Sequence, residues 1–440
     1  MPFPLRLILF LSLLASPLLA ASMFRGNAAH DATYASPPLR SLHGVKWCVA
    51  TGGPVFGSAS VWKGLVYVGS DDRRLYALDL ASGARRWTFT TNGPIHSTPA
   101  VDDTGVYFLS YDGIFYALDP GSGTLRWKFR SAGERHFEAK GLHGMQPATQ
   151  TMPDVWDMFS SSATLANGLV YFGCGDGFVY ALRESDGTLA WRFHTGDVVH
   201  ASPAVANGLV VVGSWDSCLY ALDAKTGIPH WKFKSGEDPV NHNQVGFQSS
   251  PCIVDGTVYV GCRDAHVYAV DLKTGRERWA FSTKGSWVIG SPVVHKGIVY
   301  VGTSDTALLL ALDARTGALL HSLDMKLYTF SSVAVAGDFG YVGTFDGRLH
   351  AIDLTSFKPA WNFQTPASRA DPGHVLGPDG RLSPTLFQVD PDPKAPAFQF
   401  EWMTRICDRL YQAGSILSSP VVADGTVIVG STDGHIYALD

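Results

Sequence analysis

One phrase, Ala-x-Asp-x-x-(Thr/Ser)-Gly-x-x-x-Trp, recurs along the chain and restricts its fold more than any other feature of the sequence. Complete copies end at Trp87, Trp127, Trp231 and Trp279. Around each copy, strand-length runs alternate with turn signals, so that one copy supplies four short strands. A single four-stranded sheet cannot bury both of its faces, so successive copies must stack. Stacking that closes on itself produces a β-propeller with protected edges.

Three further copies depart from the phrase, and an eighth is incomplete. Arg183 replaces the Asp in one copy, His321 stands at the Trp position of another, and Phe357 stands at the Gly position of a third. The eighth copy ends at Asp440 without an outer strand, whereas an unmatched Trp strand lies near the start, around Trp47. The sequence therefore predicts an all-β, eight-bladed propeller of four-stranded antiparallel blades, closed by an N-terminal strand.

The repeated Trp and Asp residues are assigned to packing rather than to chemistry. An indole is large and apolar with one N–H donor, so it can wedge between neighbouring sheets and still satisfy its polar end. The Gly four residues earlier permits a turn with positive φ. Since His321 is smaller and more polar, we expect it to mark the weakest contact between blades, where a Trp would be tolerated.

The N-terminal residues indicate export. Arg6 precedes an apolar stretch from Leu7 to Leu14, and small residues follow at Ala20–Ser22. We expect a signal peptide at residues 1–21, a lead-in at 22–43 and the propeller at 44–440, with no transmembrane helix in the mature protein. With no Cys near the cleavage site for lipid attachment, the protein is predicted to be periplasmic or secreted.

Charge and motifs exclude several functions. The net charge of −5 provides no basic field for nucleic acid, so no nucleic-acid partner is expected. The six cysteines are scattered without CxxC spacing and are expected to be buried free thiols. His136, Glu138 and His143 fit no zinc spacing, so no metal site is assigned. No GxSxG, HExxH or Walker-A pattern occurs.

The repeated phrase resembles the tryptophan-docking motif of the PQQ-repeat, or quinoprotein-like, propellers, and the match covers nearly the whole chain after the signal. The run Phe24-Arg25-Gly26-Asn27-x-x-His30 is similar to the lead-in of such propellers. The resemblance implies the propeller fold. It leaves the function open, because the family includes PQQ-dependent alcohol dehydrogenases and a non-enzymatic outer-membrane assembly lipoprotein that binds partner proteins. The adjacent-Cys disulfide and haem domain of dehydrogenases are not found in this sequence.

Three crossovers between blades exceed the usual spacing of 12 residues, by 24, 8 and 47 residues. They run from Trp127 to Ala163 (the first insertion), from Trp231 to Pro251 (the second) and from Trp361 to Pro420 (the third). In a four-stranded meander all three lie on the same face, here called the insertion-bearing face. The third is rich in Pro and Asp and is expected to be partly disordered. Loops on a rigid scaffold commonly carry binding residues.

The candidate ligand-binding residues of this face are aromatic or hydrogen-bonding: His96, Trp156, Asp157, His200, Trp215, Asn243, Gln248, Arg263 and Trp287. The interpretation favoured by the sequence is a binding or interaction scaffold for another protein or a small ligand. The alternatives are a PQQ-dependent dehydrogenase using PQQ with Ca²⁺, and a non-catalytic binder of a small ligand at the channel mouth. In a quinoprotein, Trp215 or Trp287 would stack the cofactor while Arg263 and Asn243 contact its oxygens. Catalytic residues and enzymatic activity are left unassigned.

Overall fold

A computed structural model describes residues 21–144, 147–237, 245–371, 374–389 and 398–440. In this part of the chain the strands form eight four-stranded antiparallel blades, which confirms the predicted propeller. The predicted signal sequence lies outside the described residues apart from Ala21. No described helix is long and apolar enough to cross a membrane.

Each of the first four blades consists of four consecutive strands. Blade 1 contains Ser60–Trp62, Leu65–Gly69, Arg74–Asp79 and Arg85–Thr90; blade 2 contains Ala100–Val101, Val106–Ser110, Ile114–Leu118 and Leu125–Arg130; blade 3 contains Thr164–Ala166, Leu169–Gly173, Phe178–Arg183 and Leu189–His194; and blade 4 contains Ala204–Ala206, Leu209–Gly213, Cys218–Asp223 and Pro229–Lys234.

The next three blades repeat this order, and the last one combines both ends of the chain. Blade 5 contains Cys252–Val254, Thr257–Cys262, His266–Asp271 and Glu277–Ser282; blade 6 contains Val293–His295, Ile298–Gly302, Leu308–Asp313 and Leu319–Asp324; blade 7 contains Ala334–Ala336, Phe339–Gly343, Arg348–Asp353 and Lys358–Gln364, with Thr33–Tyr34 added in parallel; and blade 8 contains Val421–Ala423, Thr426–Ser431, His435–Leu439 and Val45–Ala50.

The closing strand pairs as the sequence predicts. Val45–Ala50 lies antiparallel to His435–Leu439, with Trp47 opposite Ala438. This pairing supplies the outer strand that the C-terminal copy lacks, so the first and last parts of the propeller share one blade.

The repeated Trp residues join neighbouring blades through the packing of the indole and one hydrogen bond. Trp191 donates from Nε1 to the Ala224 carbonyl of the next blade, at 3.0 Å. Its ring lies against Gly227, where a Cβ would come within 2.7 Å of the indole. Within the described residues six joints have this arrangement, formed by the pairs Trp47–Gly83, Trp87–Gly123, Trp127–Gly187, Trp191–Gly227, Trp231–Gly275 and Trp279–Gly317.

The joint between blades 6 and 7 differs from these six. His321 occupies the Trp position, and its ring stacks on Phe357 at a centroid distance of 5.5 Å and an interplanar angle of 27°. Phe357 takes the Gly position with φ of 51°. The two departures from the phrase are therefore partners, because the larger residue of blade 7 fills the space that the smaller ring of blade 6 leaves. We therefore expect a Trp at position 321 to be tolerated only when Phe357 is replaced as well, and not by itself as the sequence suggested.

A closed ring of hydrogen bonds links the inner strands. At the start of each inner strand, the backbone N–H of a Ser or Thr donates to the side-chain hydroxyl of the equivalent residue in the next blade. The eight distances lie between 2.8 and 3.2 Å, and the residues in order are Ser58, Thr98, Ser162, Ser202, Ser250, Ser291, Ser332, Ser419 and again Ser58.

The lead-in closes the channel at the end opposite the insertions. Its carbonyl oxygens and that of Ala21, the residue just before it, accept hydrogen bonds from the inner strands of five blades; the lead-in residues that accept are Ser22, Ala28, Ala29 and Ala32. Arg25 is buried there and donates to the carbonyl oxygens of His30, Pro292 and Val333. Trp361 of blade 7 donates to Leu39 of the lead-in at 3.0 Å, in place of a residue of blade 8.

Among the residues that the structure describes, helices occur only in the insertions. The third insertion contains the α-helices Pro366–Ala370 and Phe398–Gln412 and the 3₁₀-helix Pro384–Phe387, and the first insertion contains the 3₁₀-helix Leu142–Gly144. The sequence predicted partial disorder in the third insertion and did not predict this 15-residue helix. Each of the six cysteines lies within the described residues and is free, and only Cys48 is exposed, contrary to the expectation that all are buried.

The paired departure at positions 321 and 357 can be tested with a double-mutant cycle. We expect His321→Trp alone to lower the free energy of unfolding by about 2 kcal/mol, because the indole and the Phe357 ring compete for one space. Phe357→Gly alone should also destabilise, because it leaves a void beside His321. The double variant restores the standard pair, so in urea unfolding it should be more stable than either single variant. Additive losses in the double variant would contradict the pairing.

Candidate functional site

The first insertion folds over the mouth of the channel. After blade 2 it forms the hairpin Glu138–Lys140 and Thr151–Pro153, and then crosses the mouth as Asp154–Met158, here called the plug. The plug contacts residues that enter or belong to blades on different sides of the ring, so it lies near the propeller axis. These contacts are made with His96, His200, Gln248, Arg263, Phe330 and Phe345.

A buried arginine anchors one side of the plug. The guanidinium carbon of Arg263 lies 4.6 Å from the ring centroid of Trp215 and 3.8 Å from that of Trp287. Its Nη1 donates to Asp154 Oδ2 at 2.6 Å, and both side chains are fully buried. The opposite face of Trp215 stacks on Phe137 at 4.4 Å and 7°. The result is a layered stack in which the cation lies between two electron-rich indole faces.

Asp154 holds the plug through both carboxylate oxygens. Besides Arg263, it accepts hydrogen bonds from His143 Nε2 at 3.0 Å and from the backbone N–H of Trp156 at 2.9 Å. Burial disfavours the charged form, but Arg263 and His143 outweigh it and hold the pKa of Asp154 below its ordinary value. Asp154 is therefore an anion that pairs with the buried guanidinium.

A second buried charge cluster lies on the other side of the plug. His200 donates from Nδ1 to Asp157 Oδ1 at 2.7 Å and from Nε2 to Glu134 Oε1 at 2.6 Å, and all three side chains are fully buried. Asp157 Oδ2 also accepts the backbone N–H of Phe137 at 2.6 Å. Burial alone would lower the pKa of His200. The carboxylates of Asp157 and Glu134 have the larger, opposite effect and raise this pKa to about 10. The histidine is therefore an imidazolium that ties two parts of the first insertion to blade 4.

The remaining candidate residues hold the backbone and ring of the plug. His96 lies with Nδ1 2.6 Å from the carbonyl oxygen of Met158, and its Nε2 contacts Asp71. Gln248 donates from Nε2 to the Trp156 carbonyl at 2.8 Å. The Trp156 ring packs edge-on against three aromatic side chains, Tyr328, Phe330 and Phe345.

The structure thus brings together His96, Trp156, Asp157, His200, Trp215, Gln248, Arg263 and Trp287 around the plug, whereas Asn243 lies outside the described residues. Sequence reasoning did not select Glu134 and Asp154, the acids that pair with His200 and Arg263. One feature of the sequence could have pointed to these two acids. A buried Arg or protonated His requires an acidic partner, and the first insertion contains several acids.

This arrangement does not fit a planar quinone with Ca²⁺. Both faces of the Trp215 indole are covered, by Phe137 and Arg263. Trp287 contacts Arg263 on one side and lies 5.4 Å from the ring of His143. Among the described residues no group of three or more His, Cys, Asp and Glu side chains could hold a metal ion. Glu134 and the two acids of the plug are instead used by Arg263, by histidines and by backbone N–H groups.

The pairing of Arg263 with Asp154 predicts a large and non-additive effect on stability. Arg263→Ala leaves a buried carboxylate without its main partner, so the free energy of unfolding should fall by about 3 kcal/mol or more. The double variant Arg263→Ala with Asp154→Ala removes both charges. In urea unfolding, we expect the double variant to lose less free energy of unfolding than the two single variants lose in sum. The control is Arg278→Ala, which removes an exposed arginine that pairs with Asp271. Simple additivity would show that the two groups are not coupled.

The raised pKa of His200 predicts how stability depends on pH. Between about 6.5 and about 10 the native imidazole keeps a proton that the unfolded chain has lost. The stabilisation is therefore complete below this window and is lost as the pH rises through it, with a slope of at most about 1.4 kcal/mol per pH unit. The check is the free energy of unfolding in urea, measured at the two ends of the window. The difference between the two values should be smaller for His200→Gln than for the unaltered protein. An equal slope in both proteins would contradict the assignment.

Known proteins were compared with this chain and its fold. Residues 40–152 and 144–363 match the PQQ_2 family model, described as outer membrane protein assembly factor BamB. The chain is 34% identical over 96 residues to the dehydrogenase subunit of a quinone alcohol dehydrogenase from Gluconobacter oxydans (strain 621H), covering 19% of this chain and 12% of that protein. It is 33% identical over 98 residues to the quinohemoprotein alcohol dehydrogenase ADH IIB of Pseudomonas putida, covering 20% and 14%. The matched segment therefore spans only a small part of these relatives.

Solved structures share the fold at low sequence identity. BamB from Moraxella catarrhalis superposes with a TM-score of 0.64 at 15% identity, covering 90% of this chain and 99% of that chain. A europium-containing methanol dehydrogenase superposes with a TM-score of 0.68 at 14% identity, covering 96% and 98%. Identities this low establish the shared propeller alone. Because the family model matches most of the sequence, the chain belongs to the PQQ_2 family of BamB-like, PQQ-repeat propellers.

Proposed function

We propose that this protein is an exported, non-catalytic binding propeller whose insertion-bearing face binds another protein. The observation that supports this proposal is the plug. The place on the axis where a planar cofactor would need an open slot is filled by Asp154–Met158, and the plug is tied down by the buried pairs Arg263–Asp154 and His200–Asp157.

The alternative is a PQQ-dependent dehydrogenase, which the similarity to quinone alcohol dehydrogenases favours. Binding PQQ at the mouth would require Arg263 to leave the space between Trp215 and Trp287, separating it from Asp154. An unpaired buried charge is costly, so the native arrangement opposes this opening. The folded site therefore favours the binding scaffold.

Exposed groups of the insertions are suited to protein contact. Phe387 of the third insertion is 45% exposed. It lies beside Trp402, with ring centroids 6.3 Å apart, and Trp402 donates from Nε1 to the Phe387 carbonyl. Aromatic side chains held in fixed positions commonly dominate the binding energy of protein interfaces. We therefore place the centre of the partner-binding surface at Phe387 and Trp402.

Export is part of the proposal. The N-terminal pattern of Arg6, an apolar stretch and small residues at Ala20–Ser22 is that of a signal peptide. The family description names an assembly factor for outer membrane proteins, which agrees with a periplasmic site of action.

A cofactor titration separates the two functions. Purified protein incubated with PQQ and Ca²⁺ and then dialysed should retain no quinone absorbance and should not oxidise alcohols with an artificial electron acceptor. Arg263→Ala serves as the companion variant, because it opens the space between the two indoles. Stoichiometric retention of PQQ by the unaltered protein, together with alcohol oxidation, would establish the dehydrogenase instead.

The partner surface is tested with a pair of matched substitutions. Phe387→Ser removes an exposed apolar group from the insertion-bearing face, whereas Ile228→Ser removes one that is 63% exposed at a turn of the opposite face. In crosslinking of periplasmic extracts we expect the first variant to lose a co-purifying protein about tenfold and the second to retain it. Equal retention, or loss only with Ile228→Ser, would contradict the assignment.

A further inference from the structure

A cavity of about 250 Å³ lies beside the plug, under the third insertion. Its wall on the propeller side is aromatic, and its roof is aliphatic. The side chains that define it are Trp156, Trp287, Tyr328 and Phe330 on the wall and Leu386 and Met403 in the roof. This volume is well above the roughly 10–15 Å³ that one water needs, so the cavity has room for a small organic molecule.

One charged group lines the cavity without an ionic partner in the described part of the chain. Asp305 is exposed, so it lies at the entrance. It accepts a hydrogen bond from Ser304 Oγ at 2.7 Å but forms no ion pair with any described residue.

The aromatic wall and Asp305 define complementary features of a ligand. Aromatic faces attract an organic cation, and the attraction is larger when the cation leaves water. The carboxylate of Asp305 adds to that attraction and repels an anion.

We propose that this cavity binds a small organic cation that carries an apolar, preferably aromatic, body. The cationic group would lie near Asp305 and the apolar body against the aromatic wall. PQQ carries carboxylates and is excluded from this class by Asp305. Phe387 of the proposed partner-binding surface also lines this cavity, but the proposal rests on the cavity and Asp305 and not on the proposed function.

The test uses phenylalaninamide, which has an ammonium group, a ring and a carbonyl oxygen. Isothermal titration should detect its binding with a dissociation constant of about 1 mM or lower, as expected for a ligand of its size. N-acetylphenylalanine keeps the ring and a carbonyl but is an anion, and it should bind at least about tenfold more weakly.

Variants locate the binding in the cavity. Asp305→Asn should weaken phenylalaninamide binding about tenfold and reduce the preference for the cation. Asp424→Asn, at an exposed turn of the opposite face, is the matched control and should bind normally. Melting temperatures establish that each variant is folded. Absence of phenylalaninamide binding, equal binding of the anion, or equal binding by Asp305→Asn and Asp424→Asn would overturn the proposal.

Discussion

The rest of the structure depends on the ring of hydrogen bonds in which each inner strand donates a backbone N–H to a hydroxyl of the next blade. The hydrogen bond from Ser419 to Ser58 closes this ring between the last and first copies. The Trp–Gly joints then fix the outer parts of the blades relative to each other. A ring of eight blades leaves a central channel, and its buried ends must be covered so that their backbone groups find partners. The lead-in covers one end and the plug covers the other.

The plug combines charges that would be unfavourable if buried singly. Arg263 pairs with Asp154, and His200 lies between Asp157 and Glu134. Such groups are tolerated inside a protein when their hydrogen bonds are made, and removing one partner leaves an uncompensated charge. The first insertion is therefore part of the core and not a loop resting on the surface. This fixes the plug at the centre of the insertion-bearing face, which is the observation that supports the proposed binding scaffold.

The sequence predicts the parts of this protein that repeat. Trp47 could be assigned to the last blade because its spacing to the following strand matches that of the internal copies. His321 and Phe357 were each recognised as departures, but their contact is not visible in a linear pattern because they belong to different copies. Arg263 and Asp154 are 109 residues apart and lie in different irregular segments, so both residues can be read in the sequence but their contact cannot. Helix Phe398–Gln412 was missed because the Pro- and Asp-rich residues before it dominated the interpretation.

The central claim, that the plug is a structural part of the propeller, is tested most directly by native-state hydrogen exchange. The backbone N–H of Phe137 donates to Asp157 and that of Trp156 donates to Asp154, both at buried carboxylates. The account predicts that these two amides exchange as slowly as those of the inner blade strands, through unfolding of the whole propeller. Exchange at rates typical of surface loops, with the blade strands still protected, would show that the mouth opens independently and would contradict it.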